Sequence, residues 1–403
     1  METDDAFESA VHCHDAKVAE LGLPIWVGSE PTFTDREAQT PAWLHSALGD
    51  DKELRARALL GTLGRRMPGA LVLRSIGRLY PGEKLPRWNL GLLRRRDGEP
   101  LWNGPPDPLL ADEPVPAGPP DIAAFASALA KAFASQQWAS ECVEGAEERG
   151  EEDADKAGAD DAPAWTVTAT LDADAEPLRY VLRAYEDEAE PDADRAACAA
   201  CAAIELPEIG HVDHLLAALP CIERAARACG LPGLVFAGAT PPVDATLELT
   251  TVTPDPAVIE INSAPSRNCA EFLWRSQQVY AAAAAHGLSP YRLYFNGQVA
   301  DSGGAGQVTF GGPTPESSPF VANLQLLPRL VRYFNRHPAL SYLFSHDFVG
   351  GSGQSVRPDE RGTGAFDDLV LALALLERET VTEPELLWKS LASFLCDAVG
   401  NSH

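Results

Sequence analysis

The chain has 403 residues, of which 59 are Asp or Glu and 32 are Lys or Arg, for a formal net charge of −27, and 45% of it is hydrophobic. That apolar content excludes a wholly disordered or fibrous chain, and the length suffices for two or three domain-sized units or one large catalytic domain with insertions. A chain this acidic, without an extended basic face, repels phosphate backbones at long range, so no nucleic-acid partner is expected.

The opening Met1-Glu2-Thr3-Asp4-Asp5 has no cationic or apolar leader, and the longest helical apolar run, Leu369–Leu376, is too short to span a bilayer. The expected setting is the cytoplasm, with no membrane contact. Ile25–Val27 is predicted to be a strand running straight into Gly28–Phe33, where Gly and Pro force a turn, which puts Glu30 at a strand end. Asp51–Arg66 has a helical period, with Leu54, Ala58, Leu59 and Leu63 on one side, and Ala70–Leu73 is strand-like. Seven prolines make Pro105–Pro120 a connector, and Ile122–Ala134 reads as a helix.

Trp165–Leu171 and Leu178–Ala184 alternate as a hairpin pair does. Pro220–Cys229 reads as a helix with proline in its first turn and Gly230 as its stop. Leu234–Phe236, Ala245–Thr251 and Val258–Ile261 are predicted strands, Cys269–Ala285 a helix, and Gln307–Phe310 a strand fed by the glycine loop 303–306. Leu324–Tyr333 and Gly364–Leu376 are predicted helices. Clustered strands separated by helices, without strict β-α alternation, point to an α+β fold with an antiparallel sheet.

The charge is uneven. Glu141–Asp161 carries net −8 and Glu186–Arg195 net −5, so about half of the excess lies in stretches too polar to pack. Asp51–Glu99, by contrast, carries twelve cations against five acids, a segment able to hold an anion. The expected organisation is 1–139 as the N-terminal part of a catalytic domain, 140–163 as an acidic flexible insertion, and 164–403 as its C-terminal part. The eight cysteines are scattered, which argues against a disulfide scaffold. Cys198 and Cys201 with His211 and His214 have zinc-ligand types and would suit a zinc-dependent hydrolase, a third and weaker reading, since in an alanine-rich setting cysteines behave as small hydrophobes.

Several acids sit beside glycines or at strand ends, where side chains converge while the backbone stays rigid. These are Glu30, Glu83 in the Tyr80-Pro81-Gly82-Glu83 turn, and Glu260, which alternation places with Asn262 on one face of an otherwise apolar strand. A buried carboxylate needs a partner, and a hard cation with oxygen ligands, Mg²⁺ or Mn²⁺, supplies one; a structural ion pair with a nearby arginine is the alternative. The guanidinium forks of Arg78, Arg87 and Arg357 suit phosphate or carboxylate. There is no G-x-S-x-G elbow, no H-E-x-x-H and no Walker lysine loop.

Seven blocks then fall into a recognisable order: His14–Val18, Trp26–Phe33, Tyr80–Glu83 with Pro86–Trp88, Arg96–Trp102, Val252–Pro256 with Val258–Asn262, Gly311–Pro315 with Ser318–Phe320, and His337–Phe344. Together they resemble a bacterial family of amidoligases whose module usually ends large transglutaminase-like proteins. The resemblance runs from about residue 12 to about residue 377. It implies a glutamine-synthetase-like fold, a curved antiparallel sheet with helices packed on its convex face, holding divalent metal and ATP. It also implies ATP-dependent joining of a carboxylate to an amine through an acyl phosphate. Carried over by position, Glu30, Glu83 and Glu260 are metal-facing acids, joined by Asn262. Arg78 and Arg87 face the nucleotide, and Arg357 and Glu360 belong to a closing catalytic block together with Glu30.

Two departures stand out. Gly306-Gln307 replaces the family's Asn-His, leaving Gln307 to hydrogen-bond the nucleotide in place of a histidine, and Ser345-His346-Asp347 replaces an apolar stretch. The leading expectation is a free-standing Mg-ATP amidoligase acting on small-molecule or peptide carboxylates and amines, with a transglutaminase-like or ATP-grasp protein as partner. The alternative is a non-catalytic relative that binds peptide or nucleotide as a partner subunit.

Overall fold

The computed structural model describes residues 2–23, 25–67, 69–111, 119–145, 164–171, 176–185, 201–302, 306–314, 317–323 and a few single positions up to 378. In chain order the described elements begin with α1 (Glu2–Glu20), β1 (Trp26–Glu30), β2 (Thr32–Phe33), α2 (Pro41–Leu44), α3 (Asp50–Arg65), β3 (Leu71–Ile76) and β4 (Trp88–Arg95). There follow α4 (Ile122–Ala134), β5 (Ala139–Glu144), β6 (Trp165–Thr170), β7 (Leu178–Tyr185), β8 (Cys201–Leu206), α5 (Val212–Ala228) and β9 (Leu234–Gly238). The last are β10 (Leu247–Asp255), β11 (Val258–Ser266), α6 (Cys269–Ala285), β12 (Tyr291–Leu293), β13 (Val299–Asp301), β14 (Gln307–Gly311) and α7 (Pro319–Ala322).

These elements form two compact units. The first is built from Met1–His45, Pro256–Tyr280 and Gly287 onward, the second from Ser46–Asp255 with Ala281–His286. The expected α+β class holds.

In the second unit the strand order is β10-β4-β3-β9-β8-β7-β6-β5, antiparallel except where β9 runs parallel to β3 and β8. Both faces are covered, not one. Leu71, Leu73, Leu93, Ile204, Leu234 and Phe236 pack on one side with Phe125, Leu129 and Phe133 of α4 and Leu215, Leu219 and Ile222 of α5. On the other side Leu92 meets α3, close enough that a β-carbon on Gly64 would come within 3.2 Å of its Cδ1. Two covered faces explain why β4 reads as a run, with Leu90, Gly91, Leu92 and Leu93 all buried, and lacks the alternation that marks a half-exposed strand.

The predicted hairpin of β6 and β7 is present, paired Trp165 to Leu182. Glu141–Glu144, expected as part of a solvated insertion, instead lie in β5, paired residue for residue with β6 from Ala139↔Thr170 to Glu144↔Trp165. Gly145 N donates to Ala164 O at 2.8 Å and closes that pairing, and the rest of the acidic segment lies outside the described residues. Helix α5 begins eight residues before Pro220, so the proline is interior. It faces solvent while Val212, Leu215, Leu219 and Ile222 bury the opposite stripe, and that packing outweighs one lost hydrogen bond. Gly230, at φ +62°, ends the helix as expected.

In the first unit β1 lies between β14 and β11, antiparallel to both, and β2 pairs with the start of β11. Strands β12 and β13 form a separate hairpin. Asp15 of α1 caps α6, accepting from Cys269 N at 2.9 Å and Ala270 N at 3.0 Å. Arg292 of β12 is the tie across this unit: its guanidinium donates to Ser302 O (2.6 Å), Thr34 Oγ1 (2.8 Å), Trp43 O (2.5 Å) and Ala257 O (2.7 Å). The predicted helices Leu324–Tyr333 and Gly364–Leu376 fall mostly outside the described residues. Among those described, no helix is long and apolar enough to cross a membrane.

Candidate active site

Register alone brings four of the sequence-named residues onto one sheet face of the first unit. Glu30 of β1 pairs directly with Gln307 of β14. On the other side Ser29 pairs with Ser263 and Thr32 with Glu260. The same count sets Asn262 opposite Glu30. Directly paired residues share a face and alternate residues return to it, so Gln307, Glu30, Asn262, Glu260 and Thr32 all point one way. Glu30 and Glu260 are diagonal neighbours, with Cβ atoms roughly 7–8 Å apart in such geometry.

The strand β11 shows why these side chains are presented. Val258, Ile259 and Ile261 are buried, while Glu260 and Asn262 are only partly so. Asn262 Nδ2 donates to Glu260 Oε1 at 2.9 Å, which orients that carboxylate and leaves the amide oxygen facing the same space. Thr32, opposite Glu260, is buried and shares a 2.5 Å hydrogen bond with Ser302. Gly28, two residues before Glu30 on its face, is required by Thr309 across the strand pair, whose Oγ1 would stand 2.5 Å from a β-carbon there. Glu30 itself is half-buried, and burial pushes its carboxyl above the usual range. Among the described residues it has neither a cationic partner nor a hydrogen-bond donor to its side chain.

Glu83, Arg78 and Arg87 lie in the second unit, on the loop joining β3 to β4. Arg87 Nε and an NH group donate to Glu83 Oε1 at 3.0 and 2.9 Å, and its other NH group reaches Asp255 Oδ1 (2.5 Å) and Pro254 O (3.2 Å). That guanidinium holds the Glu83 carboxyl below its usual range. All three nitrogens of Arg87 are thereby spent on its own unit, and Glu83 is in the arginine ion pair that stood as the alternative to a metal. The Arg78 side chain is exposed, and its guanidinium makes no hydrogen bond or ion pair among the described residues. Arg357 and Glu360 lie outside the described residues.

The basic stretch Asp51–Glu99 is largely consumed internally. Lys52 is fully buried and donates to Ser46 O and Asp255 O, both at 2.9 Å. Arg74 pairs with Asp107, Arg94 and Arg96 grip the buried Glu248 of β10, and Arg55, Arg57 and Arg95 pair with acids near them in sequence. The zinc-type residues do not converge: Cys201 is buried with Ala203 and Val235, His211 and His214 stack edge to face at 5.3 Å, and Cys198 lies outside the described residues. One metal-capable trio among the described residues has its ligand atoms within 4.8 Å of one another, His14, Asp15 and Cys269, and there Asp15 is engaged in capping α6.

Residues 4–190 and 194–403 match the model of a family described as "Putative amidoligase enzyme". The chain belongs to this amidoligase family. Comparison with curated proteins and with solved structures gave no match. For an amidoligase, the face bearing Glu30, Glu260, Asn262 and Gln307 offers two carboxylates and two carboxamides on rigid strands. The sequence signal missed was Thr32 and Ser302: hydroxyls in Pro31-Thr32-Phe33 and Ala300-Asp301-Ser302 carry no motif, and only the fold brings them together beside Glu260.

Proposed function

We propose that this amidoligase is Mg-ATP-dependent and joins the carboxylate of an amino acid or peptide to an amine through an acyl phosphate, on a sheet of the glutamine-synthetase-like type. One observation carries the reading: Glu30 is a half-buried carboxylate with no cationic partner among the described residues, a diagonal step from a second carboxylate. Withdrawing such a group from water is unfavourable unless it is paired. A hard dication relieves that cost, and Mg²⁺ takes one or two protein carboxylates and completes its shell with phosphate oxygens and water, which fits this donor set. When bound it neutralises charge on the transferred phosphoryl group.

In this reading Glu30 and Glu260 hold the cation, Asn262 orients Glu260 through its hydrogen bond, and Gln307 places a carboxamide beside Glu30 for the nucleotide. Arg357 and Glu360 remain in the proposal on the family resemblance alone. Glu83 and Arg87 brace their loop instead of ligating metal.

The test is nucleotide turnover by purified protein with Mg-ATP and pooled amino acids and peptides, following ADP and phosphate. ADP release only when a carboxylate and an amine are both present supports the ligase. No ADP, together with no Mg-ATP-dependent rise in melting temperature, favours the non-catalytic relative that Gly306-Gln307 in place of Asn-His would produce.

A further inference from the structure

The eleven residues Gly77–Arg87 that join β3 to β4 are braced from within. Gly77 N donates to Arg87 O at 2.7 Å and Arg87 N to Arg78 O at 3.0 Å, which carries the hairpin ladder past its last strand pair, Ile76↔Trp88. Glu83 N donates to Tyr80 O at 3.0 Å, and Tyr80 N returns a bond to Glu83 Oε2 at 3.3 Å. The Arg87 guanidinium stacks 4.0 Å over the Tyr80 ring while holding Glu83 and Asp255. A loop so tied has a fixed shape, and compact surface loops of this kind are frequently functional.

What the loop and the last residue of β3 present outward is unusual for a solvated turn. Ile76 is 69% exposed, Leu85 59%, Leu79 45% and Tyr80 40%. Between them stand Arg78 and Lys84, both exposed, the two cations of Asp51–Glu99 that no acid, hydroxyl or carbonyl among the described residues engages. Aliphatic and aromatic surface in one short segment, set around unspent cations, is the composition of an interaction site: the apolar groups give burial and the cations choose the partner.

We propose that the Gly77–Arg87 loop docks an acidic, aliphatic-rich peptide segment of a partner protein, its carboxylates on Arg78 and Lys84 and its apolar side chains on Ile76, Leu79 and Leu85. Charge decides the occupant. In a chain of −27 this is a local positive island: Arg78 and Lys84 stand against a net −1 from Arg87 with Glu83 and Asp255, and beyond about 8 Å at physiological ionic strength the acidic remainder is screened. Preorganisation lowers the ordering cost of binding, since Arg87 already fixes the backbone. The inference uses none of Glu30, Glu260, Asn262 or Gln307, and it reassigns Arg78, which the resemblance sets at the nucleotide, to the partner peptide.

The experiment is fluorescence anisotropy of a labelled peptide alternating Glu and Leu against the full chain, with a Lys/Leu peptide as control, at low and high salt and with Mg-ATP as competitor. Saturable binding of the acidic peptide alone, weakened by salt and roughly tenfold by Arg78→Glu with Lys84→Glu, is expected. Leu79→Ser with Leu85→Ser should also weaken it severalfold. All four positions are exposed, so unchanged melting temperatures will confirm that the variants fold. Equal binding of the Lys/Leu peptide, binding indifferent to the loop variants, or no binding overturns the proposal. Displacement by Mg-ATP overturns it too, since the loop would then belong to a nucleotide site.

Discussion

Replacing Arg292 with methionine isolates the tie that sets the back of the candidate site. The guanidinium makes four hydrogen bonds, to Ser302 O, Thr34 Oγ1, Trp43 O and Ala257 O, and Thr34, Trp43 and Ala257 are themselves buried. Methionine fills much of the same length but donates nothing, leaving three carbonyls and a hydroxyl to find other donors; Thr34 keeps its own 3.0 Å bond to Ala257 O. A hydrogen bond to a charged group contributes about 1.5–3 kcal/mol, and an abandoned buried acceptor costs about 1–3 kcal/mol. Arg292 is partly exposed and burial already weakens its hold on its proton, so the lower end applies and the bonds are not additive. A loss of about 3 to 4 kcal/mol from the first unit is expected for Arg292→Met. Arg292→Lys, which keeps a charge and three donors but loses the planar fork, should lose about half of that. Urea unfolding followed by tryptophan emission reads this out, since Trp43 is fully buried and its own carbonyl is one of the acceptors. With a slope of about 2 kcal/mol per molar urea, the midpoint should fall by about 1.5 to 2 M. The effect should also reach the site, because Ser302 binds Thr32 and Thr32 faces Glu260, so Mn²⁺ affinity should weaken in the folded variant. An unfolding free energy for Arg292→Met within about 1 kcal/mol of the parent's would refute the reasoning.

Other expectations concern the site and the sheet edge. Burial raises the Glu30 pKa, so in the metal-free protein its contribution favours folding at low pH and is lost as pH rises through the folded-state pKa. Glu30→Gln should therefore gain stability relative to the parent between about pH 4 and pH 7, and urea midpoints that keep a constant difference across that range would contradict it. Mn²⁺ binding by the parent should strengthen over the same rise in pH and be lost in Glu30→Gln. Glu260→Gln should abolish turnover while leaving the melting temperature nearly unchanged; full activity would remove Glu260 from the chemistry. Replacing 147–161 with a short Gly/Ser linker should alter stability little, as closure entropy varies slowly with loop length. Extending that deletion to Glu141 should destabilise the second unit, because it removes most of β5; equal melting temperatures for the two deletions would show that the β5–β6 pairing contributes nothing.

Local chemistry made part of this structure readable. Helices α4 and α6 begin and end where their apolar periods do, and Gly230 stops α5 because only a residue tolerant of positive φ continues there. What sequence could not supply was the partner. The Arg94-Arg95-Arg96 run looks like an anion site until Glu248, some 150 positions away, is seen buried between Arg94 and Arg96. Glu83 invites a metal until Arg87 is seen to close on it. Glu141–Glu144 looks like solvent-loving filler until β6 offers a ladder to pair with. At the site, alternation foretold that Glu260 and Asn262 share a face. That Glu30 and Gln307 join them depends on two strand registers joining segments more than 200 residues apart, which no local pattern encodes.

Because the first unit is assembled from Met1–His45, Pro256–Tyr280 and the chain from Gly287 on, its strand β1 leaves the ribosome long before either neighbour exists. At about 5–20 residues per second, some 230 residues of synthesis separate Glu30 from Asn262, so β1 waits roughly ten to fifty seconds with both edges open. The second unit, nearly continuous in sequence, can complete its sheet in that interval. The Trp26–Phe33 segment, with Trp26, Val27 and Phe33, meanwhile has no ladder, and unpaired strand edges recruit other chains. Translation arrested before Val258 would release a product whose second unit has all the strands of its sheet but lacks Ala281–His286, and whose β1 is permanently unpaired, and such truncated chains should be found in aggregates while the full-length protein stays in solution.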